Sequence, residues 1–121
     1  MTMSIDLQAL KQFHPGSTAA YVIAATRPAR LPRQLRWLPD LAPTPGLADW
    51  LHQRSDGWSQ FCEIYWAVLD NNPQRWLWLA EQARQSSIVL LSPEEDLQHS
   101  AAAALLQYLQ KQDAAPGGQA A

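Results

Sequence analysis

The chain holds one cysteine, Cys62, in 121 residues, which excludes an internal disulfide. With no secretory start either, the expected compartment is the reducing cytoplasm. No apolar run approaches the ~20 residues of a spanning helix, so a soluble chain with no membrane partner is expected. Also missing are a Cys/His cluster at metal-ligand spacing, a G-x-S-x-G elbow, a glycine-rich phosphate loop and an H-E-x-x-H pair. His14, His52 and His99 lie far apart in sequence. From spacing alone, then, no residue receives a catalytic role, no metal site is expected, and no cofactor is implied.

What is present is apolar and aromatic. Six Trp and 47% hydrophobic residues argue for a packed globule rather than a disordered chain. The length fits one domain, expected over residues 1–112, with Asp113 to Ala121 as a tail that has no reason to order. The formal net charge is only −2, but its distribution is uneven. Arg27, Arg30, Arg33 and Arg36 fall within ten residues that contain no acid, leaving −6 on the remainder. A basic edge on an acidic body follows.

The organising stretch is Ser87 to Glu95. Its apolar run Ile88-Val89-Leu90-Leu91 reads as a strand buried on both faces. Ser92, Pro93 and Glu95 read as N-cap, N1 and N3 of a capping box opening a helix from Pro93 to about Lys111. A strand running into a helix is half of a parallel α/β unit, whose ligands sit at the carboxyl ends of strands. Tyr21 to Ala25 is a second run of this kind, and Ser4 to Leu10 alternates like an edge strand. Five prolines between Thr26 and Pro45 forbid a long helix there. Irregular or polyproline II backbone is expected, with the arginines along one edge about 9 Å apart. Thr44 and Pro45 read as cap and N1 of a helix to Arg54. Asp56 caps the next, Gly57 to Asp70, with Trp58, Phe61, Cys62, Tyr65 and Leu69 as its core stripe. Asn72-Pro73 starts a third, running to about Gln85, through Trp76, Leu79, Ala80 and Ala83. The expected fold is α/β: a small, mainly parallel sheet of about three strands flanked by four or five helices, in Rossmann-like layers.

Two strand ends, a helix start and clustered arginines then coincide at one edge. Thr26, Arg27, Arg30, Ser92, His99 and Ser100 are the candidate ligand-binding residues, suited to a small anionic or nucleotide-like molecule. Against this stands a structural cluster in which the arginines pair with Glu94, Glu95 and Asp96. A nucleic-acid partner is disfavoured by the acidic body. Trp66 and Trp78 fall off the apolar stripes of their helices, and the competing function is a protein-interaction module, homodimeric if they are exposed. Cys62 lies on an apolar stripe and reads as an inert buried thiol.

A distinctive order of residues runs along the chain: the Tyr21-Val22-Ile23 strand, the Arg/Pro segment, Trp37, Leu41-Ala42-Pro43-Thr44, Leu47 to Trp50, Trp58 to Phe61, Tyr65 to Leu69, Val89-Leu90-Leu91, His99-Ser100-Ala101 and Tyr108-Leu109. It resembles the domain of unknown function 488, the YeaO-like group, over residues 4 to 111. The resemblance implies a cytoplasmic α/β protein with a short parallel sheet and no established reaction. This chain reads as a divergent member. An Asp-Arg-x-Trp-Pro-Arg-Gly segment of relatives is here Thr26-Arg27-Pro28-Ala29-Arg30-Leu31, and in their His-Asn-His-Ala the first His is kept as His99 while Ser100 replaces the Asn and Ala101 the second His.

Overall fold

The run Ile88–Ser92 forms a strand, β4, whose five residues are all buried, as a continuous apolar run between two covered faces requires. The structure, a computed structural model, describes residues 4–13, 16, 18–24, 27–29, 31, 35–53, 56–93 and 96–114. β4 lies between β1 (Ile5–Ala9) and β2 (Ala19–Val22), and β3 (Arg36–Trp37) flanks β2, giving the order β1-β4-β2-β3. Every pairing is parallel: Ile5 aligns with Ile88 and Ala9 with Ser92, Ala19 with Ile88, and Tyr21 with Arg36. The alternating Ser4 to Leu10 stretch is the expected edge strand.

The sheet has four strands, one more than anticipated. The additional one, β3, lies inside the proline-rich segment where irregular or polyproline II backbone was expected. Pro32 and Pro39 bracket a proline-free stretch, so its backbone donors survive. The Leu38 N–H extends the ladder by donating to the Val22 carbonyl at 2.9 Å. β2 begins two residues before the expected Tyr21, and beyond Val22 the Ile23 N–H still bonds to the Leu91 carbonyl.

Four helices follow: α1 (Pro45–His52), α2 (Trp58–Asp70), α3 (Leu77–Gln85) and α4 (Ala101–Ala114). Thr44 caps α1 as its sequence suggests, its hydroxyl accepting the Leu47 N–H at 3.3 Å. At α2 the cap position is Gly57, one residue beyond the expected Asp56. The third helix is interrupted. Pro73–Arg75 is a 3₁₀ turn, and α3 starts after Trp76, whose indole N–H bonds back to the Leu69 carbonyl at 2.9 Å.

The largest departure is at the C-terminal helix. Ser92 is not the cap of α4, which begins at Ala101. It is the last residue of β4, paired with Ala9, and a 3₁₀ turn at Leu97–His99 precedes α4. Ser100 is the working cap: its hydroxyl accepts the Ala103 N–H at 3.1 Å and donates to the Leu97 carbonyl at 2.7 Å. Two forces favour this arrangement. The strand ladder holds Ser92 extended, and the alanine run from Ala101 to Ala104 is the strongest helix-forming segment nearby. Glu94 and Glu95 lie outside the described residues.

Strand alternation divides the sheet into two faces. Tyr21, Ile23, Ile88 and Leu90 join one core cluster with Phe61, Tyr65, Leu79, Leu105 and other residues of all four helices. Ala20, Val22, Val89 and Leu91 face the other way, onto Leu10, Phe13, Leu31, Leu35 and Trp37, and among the described residues no helix α1–α4 contributes. The described residues Leu10 and Phe13 after β1, and Leu31 and Leu35 before β3, therefore cover one face. The long connection carrying α1–α3, with α4 after it, covers the other.

Candidate functional site

Because all four strands are parallel, Ala9, Val22, Trp37 and Ser92 end at one edge. The chain leaves β2 through Ala24, whose carbonyl accepts the Trp37 indole N–H at 2.7 Å. Arg27 follows three residues later and is exposed, while Leu31 turns back onto the outer core. This bond between side chain and backbone fixes where the basic segment departs from the sheet. Thr26, Arg30 and Arg33 lie outside the described residues.

His99 sits at the same edge, in the turn between β4 and α4. Its Nδ1 is 2.8 Å from an Asp96 carboxylate oxygen, and its ring meets that of Trp58, at the start of α2, edge-on at 5.0 Å. The hydrogen bond from His99 is the main reason the Asp96 carboxyl is held below its ordinary value of 3.8. Both residues are exposed, and no hydrogen bond reaches His99 Nε2 among the described residues.

The two serines differ from the histidine. Ser92 is 1% exposed and Ser100 0%. The Ser100 hydroxyl is committed in both directions by the cap. The four described candidates thus separate into two exposed residues, Arg27 and His99, and a buried pair, Ser92 and Ser100, that builds the edge.

The acids set against the arginines in sequence are also partly accounted for. Asp96 bonds to His99, and neither Arg27 nor Arg36 forms an ion pair among the described residues. Arg36 lies instead on aromatic faces, its guanidinium carbon 5.5 Å from the Trp78 ring centroid and 5.9 Å from that of Tyr21.

The two tryptophans marked in sequence have different fates. Trp66 is half-buried, its indole N–H donating to the Ala104 carbonyl of α4 at 3.0 Å with Lys111 over its ring at 4.3 Å. Trp78 is 39% exposed and lies edge-on to Tyr21. It walls a groove of about 380 Å³ running between the turn after β3 and the start of α3. Sequence reasoning missed this groove, because its two walls are more than thirty residues apart in the chain. The available signals were Arg36 at the end of the arginine run and Trp78 off its stripe.

Cys62 is buried, and burial pushes its thiol up to about 11, so it stays protonated at neutral pH. Among the described residues no group of three His, Cys, Asp or Glu could hold a metal ion, and no helix is long and apolar enough to cross a membrane.

Comparison with curated proteins and with solved structures returned no match. A family model does match, over residues 26–120, a span that begins just beyond β2 and contains every helix described above. That model is described as the inactive DUF488-N3 subclade, and the chain belongs to this family.

Proposed function

We propose that the protein is a non-catalytic cytoplasmic binding protein that takes a small anionic molecule at the carboxyl edge of its sheet. Arg27 and His99 make the direct contacts, and Thr26 and Arg30 extend the same segment. The observation that carries this reading is that Arg27, exposed beside the sheet's carboxyl edge, has no carboxylate partner among the described residues, while Asp96 is taken by His99. An exposed guanidinium without an acid is available to an anion, and bidentate contact is what that group does best. Ser92 and Ser100 shape the edge from beneath.

The non-catalytic reading has its own support among the described residues. An Asp–His pair orients an imidazole, but acid–base work on a protein nucleophile needs a hydroxyl or thiol within reach. Ser92 is buried, Ser100 is bound on both sides and Cys62 is a protonated core thiol. The family description reads inactive. Titration with inorganic phosphate and simple phosphate esters, followed by thermal shift and NMR, tests the reading. Stabilisation that disappears in the Arg27→Ala, Arg30→Ala double variant is the expected result. No stabilisation of the wild type by any anion would remove it.

A second reading, a homodimeric interaction module, draws on Ile64, Val68 and Leu77, which are exposed on α2 and α3 together with Trp78. Trp66, half-buried against α4, would stand at the margin of such a surface. Light scattering across a concentration series tests this reading, and a monomer at all concentrations would end it.

A further inference from the structure

We infer that the groove beside β3 is a second binding site, for a planar ring that carries a phosphate, such as a nucleotide. It opens at the end of β3, on the same carboxyl edge, but neither Arg27 nor His99 lines it, and its case does not depend on theirs. The groove measures about 380 Å³, within the ~300–1,000 Å³ typical of small-molecule sites. Pro39 and Trp78 supply apolar walls, Trp37 lines the groove at the strand end, and Asp40, Gln74 and Arg75 supply the polar groups.

Three features select the ligand class. First, a guanidinium, that of Arg75, lines the groove and a second, that of Arg36, lies against its Trp78 wall. Neither forms an ion pair among the described residues. Second, Asp40 and Arg75 line the same groove yet do not pair, so an anion can approach the arginine while the carboxylate accepts from a hydroxyl or exocyclic amine elsewhere on the ligand. Third, the indole N–H groups are already satisfied, that of Trp37 by the Ala24 carbonyl and that of Trp78 by the Arg75 carbonyl. The Trp78 ring therefore acts through its surface, as a stacking platform for a base does. The bond from Trp78 to Arg75 and the Arg36 guanidinium also hold that ring in place, so little side-chain freedom is lost on binding.

The test uses the full chain with adenosine monophosphate, adenosine and inorganic phosphate as probes, read through the indole N–H resonances of Trp37 and Trp78. Adenosine monophosphate is expected to shift both resonances and to bind more tightly than either adenosine or phosphate. Arg75→Ala and Arg36→Ala should each weaken it about tenfold or more. Trp78→Leu should weaken it about fivefold or more, and Arg27→Ala should leave it unchanged. Both arginines are exposed, so their variants retain the fold, which a melting curve checks. Equal binding of adenosine and its monophosphate, or binding indifferent to Arg36 and Arg75, would overturn the groove. Loss only in Arg27→Ala would also overturn it and leave the carboxyl-edge reading standing.

Discussion

His99 holds Asp96 through a 2.8 Å contact at its Nδ1 while its ring rests edge-on against Trp58, so one imidazole ties the turn after β4 to the start of α2. This pair has a measurable signature. The Asp96 carboxyl titrates below its ordinary 3.8, and His99→Ala should return it to the ordinary range in a carboxyl NMR titration. The sign follows from linkage: a carboxyl depressed in the folded state stabilises the fold above its unfolded value. That contribution is lost as pH falls through the lowered folded value, in the acid range below about 4. An unchanged Asp96 titration in His99→Ala would show that the pair does not form in solution.

Ser100, not Ser92, caps α4, and this is open to a direct stability comparison. Ser100→Ala should cost about 1–2 kcal/mol, because a cap and a buried hydrogen bond are lost together. Pro93→Ala, at an exposed position outside any helix, should stay within about 0.5 kcal/mol of wild type. Urea midpoints of the two variants decide, and the reverse order would restore the helix start to Pro93.

Burial along β4 sets a second scale. Leu90 is 0% exposed, within a strand paired on both sides, and Leu90→Ala should cost about 2–5 kcal/mol. Leu77→Ala, at a site 52% exposed, should cost well under about 1 kcal/mol by the same urea measurement.

Trp66 belongs to the α2–α4 contact. Trp66→Phe removes its bond to the Ala104 carbonyl and weakens the Lys111 contact, an expected loss of about 1 kcal/mol. A double-mutant cycle with Lys111→Gln should show non-additivity. Additive losses would mean that the cation does not sit on the ring.

Cys62 should resist alkylation by iodoacetamide at pH 8 in the native protein and react once the chain is unfolded, since burial raises the thiol to about 11. Rapid native labelling would contradict its placement in the core.

Much of this architecture is legible locally. The apolar run at Ile88 announces a doubly buried strand, the Phe61-Cys62-Tyr65-Leu69 stripe announces the inner face of α2, and Thr44-Pro45 announces the start of α1. These succeed because period, cap and burial agree within a few residues. Of the candidate site, the sequence positions of Arg27 and His99 put them near strand ends, but neither their exposure nor the burial of Ser92 and Ser100 could be read there. A serine hydroxyl reads alike as cap, ligand contact or ladder residue until its neighbours are known.

Residue periodicity and composition were sufficient to specify a parallel α/β chain with a basic segment, since those properties depend on neighbours a few positions away. Tertiary contacts chose between competing local signals. The pairing of β4 with β1 keeps Ser92 extended and shifts the helix start to Ala101. Pairing with β2 draws Arg36 and Trp37 out of a proline-rich stretch into a strand. Only folding then brings Arg36 onto Trp78 and opens the groove between Asp40 and Arg75. No window of neighbouring residues contains both of its walls.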